Sequence, residues 1–267
     1  LQNHQGIEPE EKAKSLIERD DRENDLTDLY GSYGQSTRDV FQLSDAFLSL
    51  DNTQEFQKQL LRIFEVLFSK PVVPPTLMEY SMFMAYAASL KSADLSRQVG
   101  AVIVNKYGDM ISTGANDVPK GGGGQYWPCD DDQRDYKQGF DCNEKEKDSI
   151  VLEIIKSLDK YDDKLSEEEN IKSAKSKLKN TGLLDITEYG RAVHAEMDAL
   201  MSASRNGTSV RDAILYTTTF PCHNCAKHII AAGVKEVIFI EPYPKSFATK
   251  LHGDAIQLNL GTPSSDE

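Results

Sequence analysis

No run of 18 apolar residues occurs in the 267-residue chain, so the sequence offers no membrane-spanning helix. The opening residues Gln2, Asn3, His4 and Gln5 make no secretory pattern, and a cytoplasmic location is expected. Cysteine is scarce: four residues are too few for a disulfide framework in a chain of this length. Basic residues are outnumbered, 30 Lys and Arg against 43 Asp and Glu, for a net charge of −13. A field of that sign repels phosphate backbones and argues against broad nucleic-acid binding; a small anionic substrate would need a local basic patch. No G-x-x-x-x-G-K-[ST] phosphate loop is present. The chain starts at Leu1 rather than a Met, which suggests a fragment or a processed product.

What is present reads as a globular protein, 39% apolar and 27% charged, long enough to bury a core. Residues 8–24 are dense in charge and predict an exposed helix or tether. Over residues 39–68 apolar side chains recur at helical spacing (Phe41, Phe47, Leu48, then Leu60, Leu61, Phe64, Leu67, Phe68), predicting two helices broken near Asp51-Asn52. Pro71, Pro74 and Pro75 then stiffen the chain. The division expected is a helical segment over 1–70 and a main domain over 71–267.

In the main domain the spacing predicts an apolar helix over 79–90 and a buried strand over 99–105. A turn at Tyr107-Gly108-Asp109 leads to a hairpin partner over 110–115. An insertion over about 117–188 follows, with Gly121 to Gly124, the acidic run Asp130-Asp131-Asp132 and a Lys/Glu-rich stretch over 144–179 read as solvated helix. Order returns with a helix over 191–204, a strand over 213–219, a helix over 222–232 and a strand over 234–241. This is an α/β pattern whose two later strands should lie parallel.

Two short motifs carry the chemistry: His194-Ala195-Glu196 and Pro221-Cys222-His223-Asn224-Cys225. H-x-E with P-C-x-x-C is the signature of zinc nucleobase deaminases. A catalytic zinc takes three protein ligands and keeps one position open. His194, Cys222 and Cys225 supply one nitrogen and two sulfurs, with one Zn2+ per chain expected. The start of a helix favours thiolate over thiol, the form that binds metal. Glu196, two residues from His194, is the candidate catalytic acid and base: zinc lowers the pKa of bound water toward about 7, and one carboxylate can take that proton and return it. Alone, P-C-x-x-C also fits a redox pair or half of a structural site; the two motifs together are far more specific. His223 reads as a helix-start residue rather than a fourth ligand, which would close the site. Cys129 and Cys142 read as free thiols, with a second, structural metal as the alternative.

On these motifs the chain resembles deoxycytidylate (dCMP) deaminases. The stretch Ser96-Arg97-Gln98-Val99-Gly100-Ala101-Val102-Ile103-Val104 is similar to their opening strand, and Gly114-Ala115-Asn116 and Ala231-Ala232-Gly233-Val234-Lys235-Glu236-Val237 add to the likeness. A closer resemblance is to bacterial anti-phage dCTP deaminases, which join a P-loop, kinase-like domain to a deaminase. Residues 34–41, 92–100, Asn116-Asp117-Val118-Pro119-Lys120 and Tyr126-Trp127-Pro128 carry it. The chain departs from that pattern in lacking the phosphate loop and in stopping soon after Leu260, where a further strand is expected. Residues 1–70 would then be the tail of a missing P-loop regulatory domain or a linker.

The resemblance implies a cytidine-deaminase-like three-layer sandwich, with a mixed sheet between helices. It implies Arg97 as a phosphate contact and Asn116 as a hydrogen-bonding partner of sugar or base. It places Tyr243 and Lys245 where relatives hold phosphate, and lets Lys120 add charge over a triphosphate. It also implies a deoxycytidine nucleotide as substrate, a homo-oligomer, and an inhibitory regulator such as RNA or a nucleotide. The alternatives carried are a housekeeping dCMP deaminase, a deaminase of a base in nucleic acid, and a silent zinc-stabilised nucleotide sensor or assembly module.

Overall fold

A computed structural model of the chain describes residues 43–48, 50, 52–179 and 181–258. The charged stretch 8–24 and residues 34–41 lie outside them. The chain divides after Val73 into two compact units, each described by itself.

In the first, Asn52 caps helix α1 (Thr53–Leu67), its Oδ1 accepting from the amides of Gln54 at 2.9 Å and Glu55 at 3.3 Å. Leu61, Phe64, Leu67 and Phe68 are exposed. Of the two helices expected over 39–68, the second is this one. The first is not helical where it is described, at 43–48 and 50. Ser44 and Asp45 are of the type that competes with the backbone for hydrogen bonds and favours turns over helix.

The second unit, Pro74–Leu258, is built around a sheet. Helix α2 (Leu77–Ser89) opens with a reciprocal capping box between Thr76 and Glu79. Strand β1 (Gly100–Val104) is buried throughout, as its GAVIV sequence requires of a strand covered on both faces. It turns through Asn105, whose Oδ1 accepts from the amides of Tyr107 and Asp109, both at 2.9 Å, into strand β2 (Met110–Ala115).

The insertion follows as helices α3 (Asp135–Gln138), α4 (Cys142–Ser157) and α5 (Glu167–Lys177), then a 3-10 turn at Gly182–Asp185. The Lys/Glu-rich stretch read as solvated helix forms two helices, and α4 buries Val151 and Ile155. The chain closes with α6 (Ala195–Arg205), β3 (Ile214–Thr219), α7 (His223–Ala231), β4 (Glu236–Glu241) and α8 (Ala248–Leu251).

The four strands run β2-β1-β3-β4. β1 is antiparallel to both neighbours, and β3 and β4 are parallel across the α7 crossover, so the mixed α/β sheet expected from the sequence is observed. Alternation along β1 and β3 separates two cores. Ala101, Ile103 and Leu215 pack with Ala195, Ala199, Leu200, Cys225 and Ile229 from α6 and α7. Val102, Val104 and Tyr216 pack with Ala85, Met78 and Met82 of α2. Helices therefore cover both faces, giving three layers.

Two glycines set how closely those helices approach. A Cβ on Gly114 would stand 2.1 Å from the carbonyl oxygen of Ala195 and 2.4 Å from the amide nitrogen of Ala199, both in α6. One on Gly100 would stand 1.9 Å from the carbonyl oxygen of Ala85 in α2. Only a residue without a side chain lets either helix lie so close to the sheet.

Candidate functional site

Helices α6 and α7 both start at the site, and each starts on a metal-ligand candidate. The sequence suggested helices from 191 and 222; the structure begins them at Ala195 and His223. His194 and Cys222 are instead the extended N-caps (φ −67°, ψ 154° and φ −69°, ψ 165°). The delay at His194 has a tertiary cause: Val193 and Asp117 exchange backbone hydrogen bonds of 2.9 and 3.2 Å as an isolated antiparallel bridge. At Cys222, Sγ accepts from the Cys225 amide at 3.4 Å, so the sulfur itself caps the helix.

The result is a compact donor set. Nδ1 of His194 lies 3.3 Å from Sγ of Cys222 and 3.4 Å from Sγ of Cys225. One ligand atom from each residue falls within 4.8 Å of the others. One imidazole nitrogen and two sulfurs so arranged match the three-ligand set of a catalytic zinc. Among the described residues no further His, Cys, Asp or Glu joins the group. His223 packs edge-on to the Phe247 ring, centroids 5.9 Å apart. Cys129 is exposed and Cys142 partly buried, both as free thiols.

Hydrogen bonding from the Cys225 thiol, then from His194, drives the Cys222 thiol far down, to about 3, favouring the thiolate. The same shared proton and burial hold the Cys225 thiol up. Hydrogen bonding to Cys222 lifts the His194 imidazole to about 9 against the opposing effect of burial. Glu196 is buried (4% exposed) beside this set, one carboxylate oxygen 3.4 Å from Sγ of Cys225. Burial raises its carboxyl above the usual range, so this group readily keeps a proton.

The remaining candidates differ in their surroundings. Asn116 is buried and its side chain spans a loop: Oδ1 accepts from the Val99 amide and Nδ2 donates to the Arg97 carbonyl, both at 2.6 Å. The amide expected to face sugar or base is thus engaged in holding the approach to β1. Arg97 pairs with Glu241 at the end of β4, at 3.1 Å. Tyr243 is half-buried; burial, then the nearby Cys222, raises its phenol, while Lys245 and Arg97 oppose that shift. Tyr243 therefore lies within electrostatic reach of the ligand set and of two candidate phosphate contacts. Lys245 pairs with Asp185 of the insertion at 2.7 Å. Lys120 pairs with Asp130 of its own loop, also at 2.7 Å.

Several site-supporting residues went unread in the sequence. Asp198, buried in the first turn of α6, accepts from the Ala115 amide at 3.3 Å and ties that helix to the end of β2. Asp117 and Arg134 form a buried ion pair at 3.1 Å. Glu241 and Asp185 neutralise the cations. Only the run Asp130-Asp131-Asp132 before Arg134 signalled any of this, as a dense mixture of charge inside an insertion.

Residues 75–241 match the family model described as the cytidine and deoxycytidylate deaminase zinc-binding region. Deoxycytidylate deaminase of Pongo abelii is 32% identical over 162 residues, 61% of this chain and 63% of that protein. Deoxycytidylate deaminase of Enterobacteria phage T4 is 34% identical over 169 residues, 61% of this chain and 77% of that protein. The chain thus spans less than two thirds of the first of these curated relatives. The crystal structure of dCMP deaminase from the cyanophage S-TIM5 in complex with dCMP and dUMP superposes with a TM-score of 0.42 at 20% identity, over 70% of this chain and 98% of that one. With the family model covering well over half of its residues, and the expected ligand set gathered at the starts of two helices, the chain belongs to the cytidine and deoxycytidylate deaminase zinc-binding family.

Proposed function

We propose that the protein catalyses hydrolytic deamination of a deoxycytidine nucleotide, dCMP foremost, to the deoxyuridine nucleotide and ammonia. One observation carries this: a three-ligand set of His194, Cys222 and Cys225 with a buried carboxyl, Glu196, against it. Zinc held by such a set supplies Lewis-acid activation of water. The chain's own residues do the rest. Glu196 moves two protons in turn, the first from water to the ring nitrogen and the second from the hydroxyl gained by the ring carbon to the amino group, which leaves as ammonia; burial holds its carboxyl above the usual range. Arg97, with Lys245 beyond β4, offers the positive charge for a phosphate, and Tyr243 a hydroxyl to donate to it. Asn116 orders the loop that carries Arg97.

The names of the relatives favour the monophosphate. Use of dCTP, with depletion of deoxycytidine nucleotides during phage infection, rests on the sequence resemblance in residues 92–100 and 116–128. Incubating zinc-loaded protein with dCMP, dCTP, CTP and cytidine and measuring ammonia separates these readings; release from none of them defeats the proposal. Replacing Glu196 with Ala should leave zinc bound and lower kcat by about 10²–10⁴-fold. Surviving turnover would remove Glu196 from the chemistry, and a sensor role gains support only if wild-type protein binds nucleotide without turnover.

A further inference from the structure

Arg134 stands out among the charges of the insertion because it is buried (4% exposed) and spans two carboxylates. Its Nε and one terminal nitrogen grip Asp132 as a fork, at 2.9 and 2.8 Å. The other terminal nitrogen reaches Oδ2 of Asp117 at 3.1 Å. Asp117 is itself 1% exposed, and that cation is its buried ion-pair partner. The same Oδ2 accepts from the Ala93 amide at 3.1 Å. Its neighbour Asn116 accepts Ser92 Oγ on its carbonyl at 2.6 Å and donates to the Arg97 carbonyl. Asp94 then folds the loop over, its Oδ1 accepting from the amides of Ser96 at 2.9 Å and Arg97 at 3.4 Å. On its other side, the backbone of Asp117 pairs with Val193, directly before His194. The dipeptide Asn116-Asp117 thus joins the Arg97 loop to the extended residues leading into the ligand set, and Arg134 supplies its counter-charge.

We propose that Arg134 is a positioning residue: through Asp117 it fixes loop 92–97, and with it the phosphate-contacting Arg97, so that the insertion sets how tightly the nucleotide binds. This rests on the deaminase reading above. A Lys at 134 keeps the charge but not the fork that reaches Asp132 and Asp117 together.

Arg134→Gln and Arg134→Lys, compared with wild type in the zinc-loaded full chain, test the idea in two ways. Hydrogen exchange reports on the loop without reference to activity. The expected result is faster exchange at the amides of 93–97 in both variants, with β1 and β2 protected as before and zinc content unchanged. In turnover, KM for dCMP should rise by about ten- to a hundredfold, with a smaller fall in kcat. Wild-type exchange rates at 93–97 in a folded variant, or a loss falling mainly on kcat, would overturn the proposal. If wild-type protein proved inactive on every cytosine nucleotide, the deaminase reading would fail, and the exchange comparison would still decide whether Arg134 holds the loop. If Arg134→Gln failed to fold, Arg134→Lys alone carries the comparison.

Discussion

His194, Cys222 and Cys225 are held at the starts of two helices packed on one face of the sheet, whereas Arg97, Lys120 and Lys245 sit on loops, 41–65% exposed, each against a carboxylate. The first group owes its geometry to backbone: two N-cap conformations, an amide-to-sulfur hydrogen bond and close helix–sheet packing place the donors. The second group depends on charge pairing near solvent, where an ion pair contributes about 0–1 kcal/mol. A phosphate can therefore compete for those cations. The difference separates a candidate metal set held by backbone from exposed cations held by charge pairing.

That contrast breaks most sharply at Cys222. Cys222→Ala removes one ligand and the sulfur that caps α7; elemental analysis should find zinc at background and ammonia release should vanish. A variant that kept its metal would show that the cluster is not the site. Next comes Gly114→Val, which tests whether packing alone places the reaction centre. Its side chain must push α6 from the sheet, costing on the order of 1–3 kcal/mol and lowering Tm by roughly 3–10 °C. Turnover should fall with it, because the carbonyl it strikes belongs to Ala195, between His194 and Glu196. An unchanged melting curve would contradict the close approach.

The cations should respond less, and in opposite directions. Arg97→Gln is expected to raise KM for dCMP about tenfold with little change in kcat, a loss of about 1.4 kcal/mol. Glu241→Gln frees Arg97 and should lower KM, by up to about fivefold. Equal effects of both variants on kcat would place this pair in the chemistry instead. The smallest effect belongs to Lys245→Ala: at 65% exposure its KM change should stay within about threefold.

The candidate zinc ligands were readable because both motifs are short, and each stands at a helix start in the fold. The sheet was readable for a similar reason: the β-branched run over 100–104 and the turn at Asn105 announce a hairpin, and the helix between two apolar runs forces a parallel crossover. The first N-terminal helix failed where it can be judged, since apolar spacing says nothing of the turn-forming Ser44 and Asp45 among those residues. The helix expected from 191 was shortened by a bridge to Asp117, a partner far away in the sequence.

Alone, the sequence determined the two short motifs, the carboxyl two positions from His194 and the succession of strands and helices along the chain, because each depends on residues within a few positions of one another. The tertiary structure decided the rest: that Gly100 and Gly114 admit two helices, that Arg134 reaches back to Asp117, and that Glu241 and Asp185 oppose the very cations expected to meet a phosphate. Those relations join residues many positions apart, and opposite charges leave no periodic trace along a chain until folding brings them within a few ångströms.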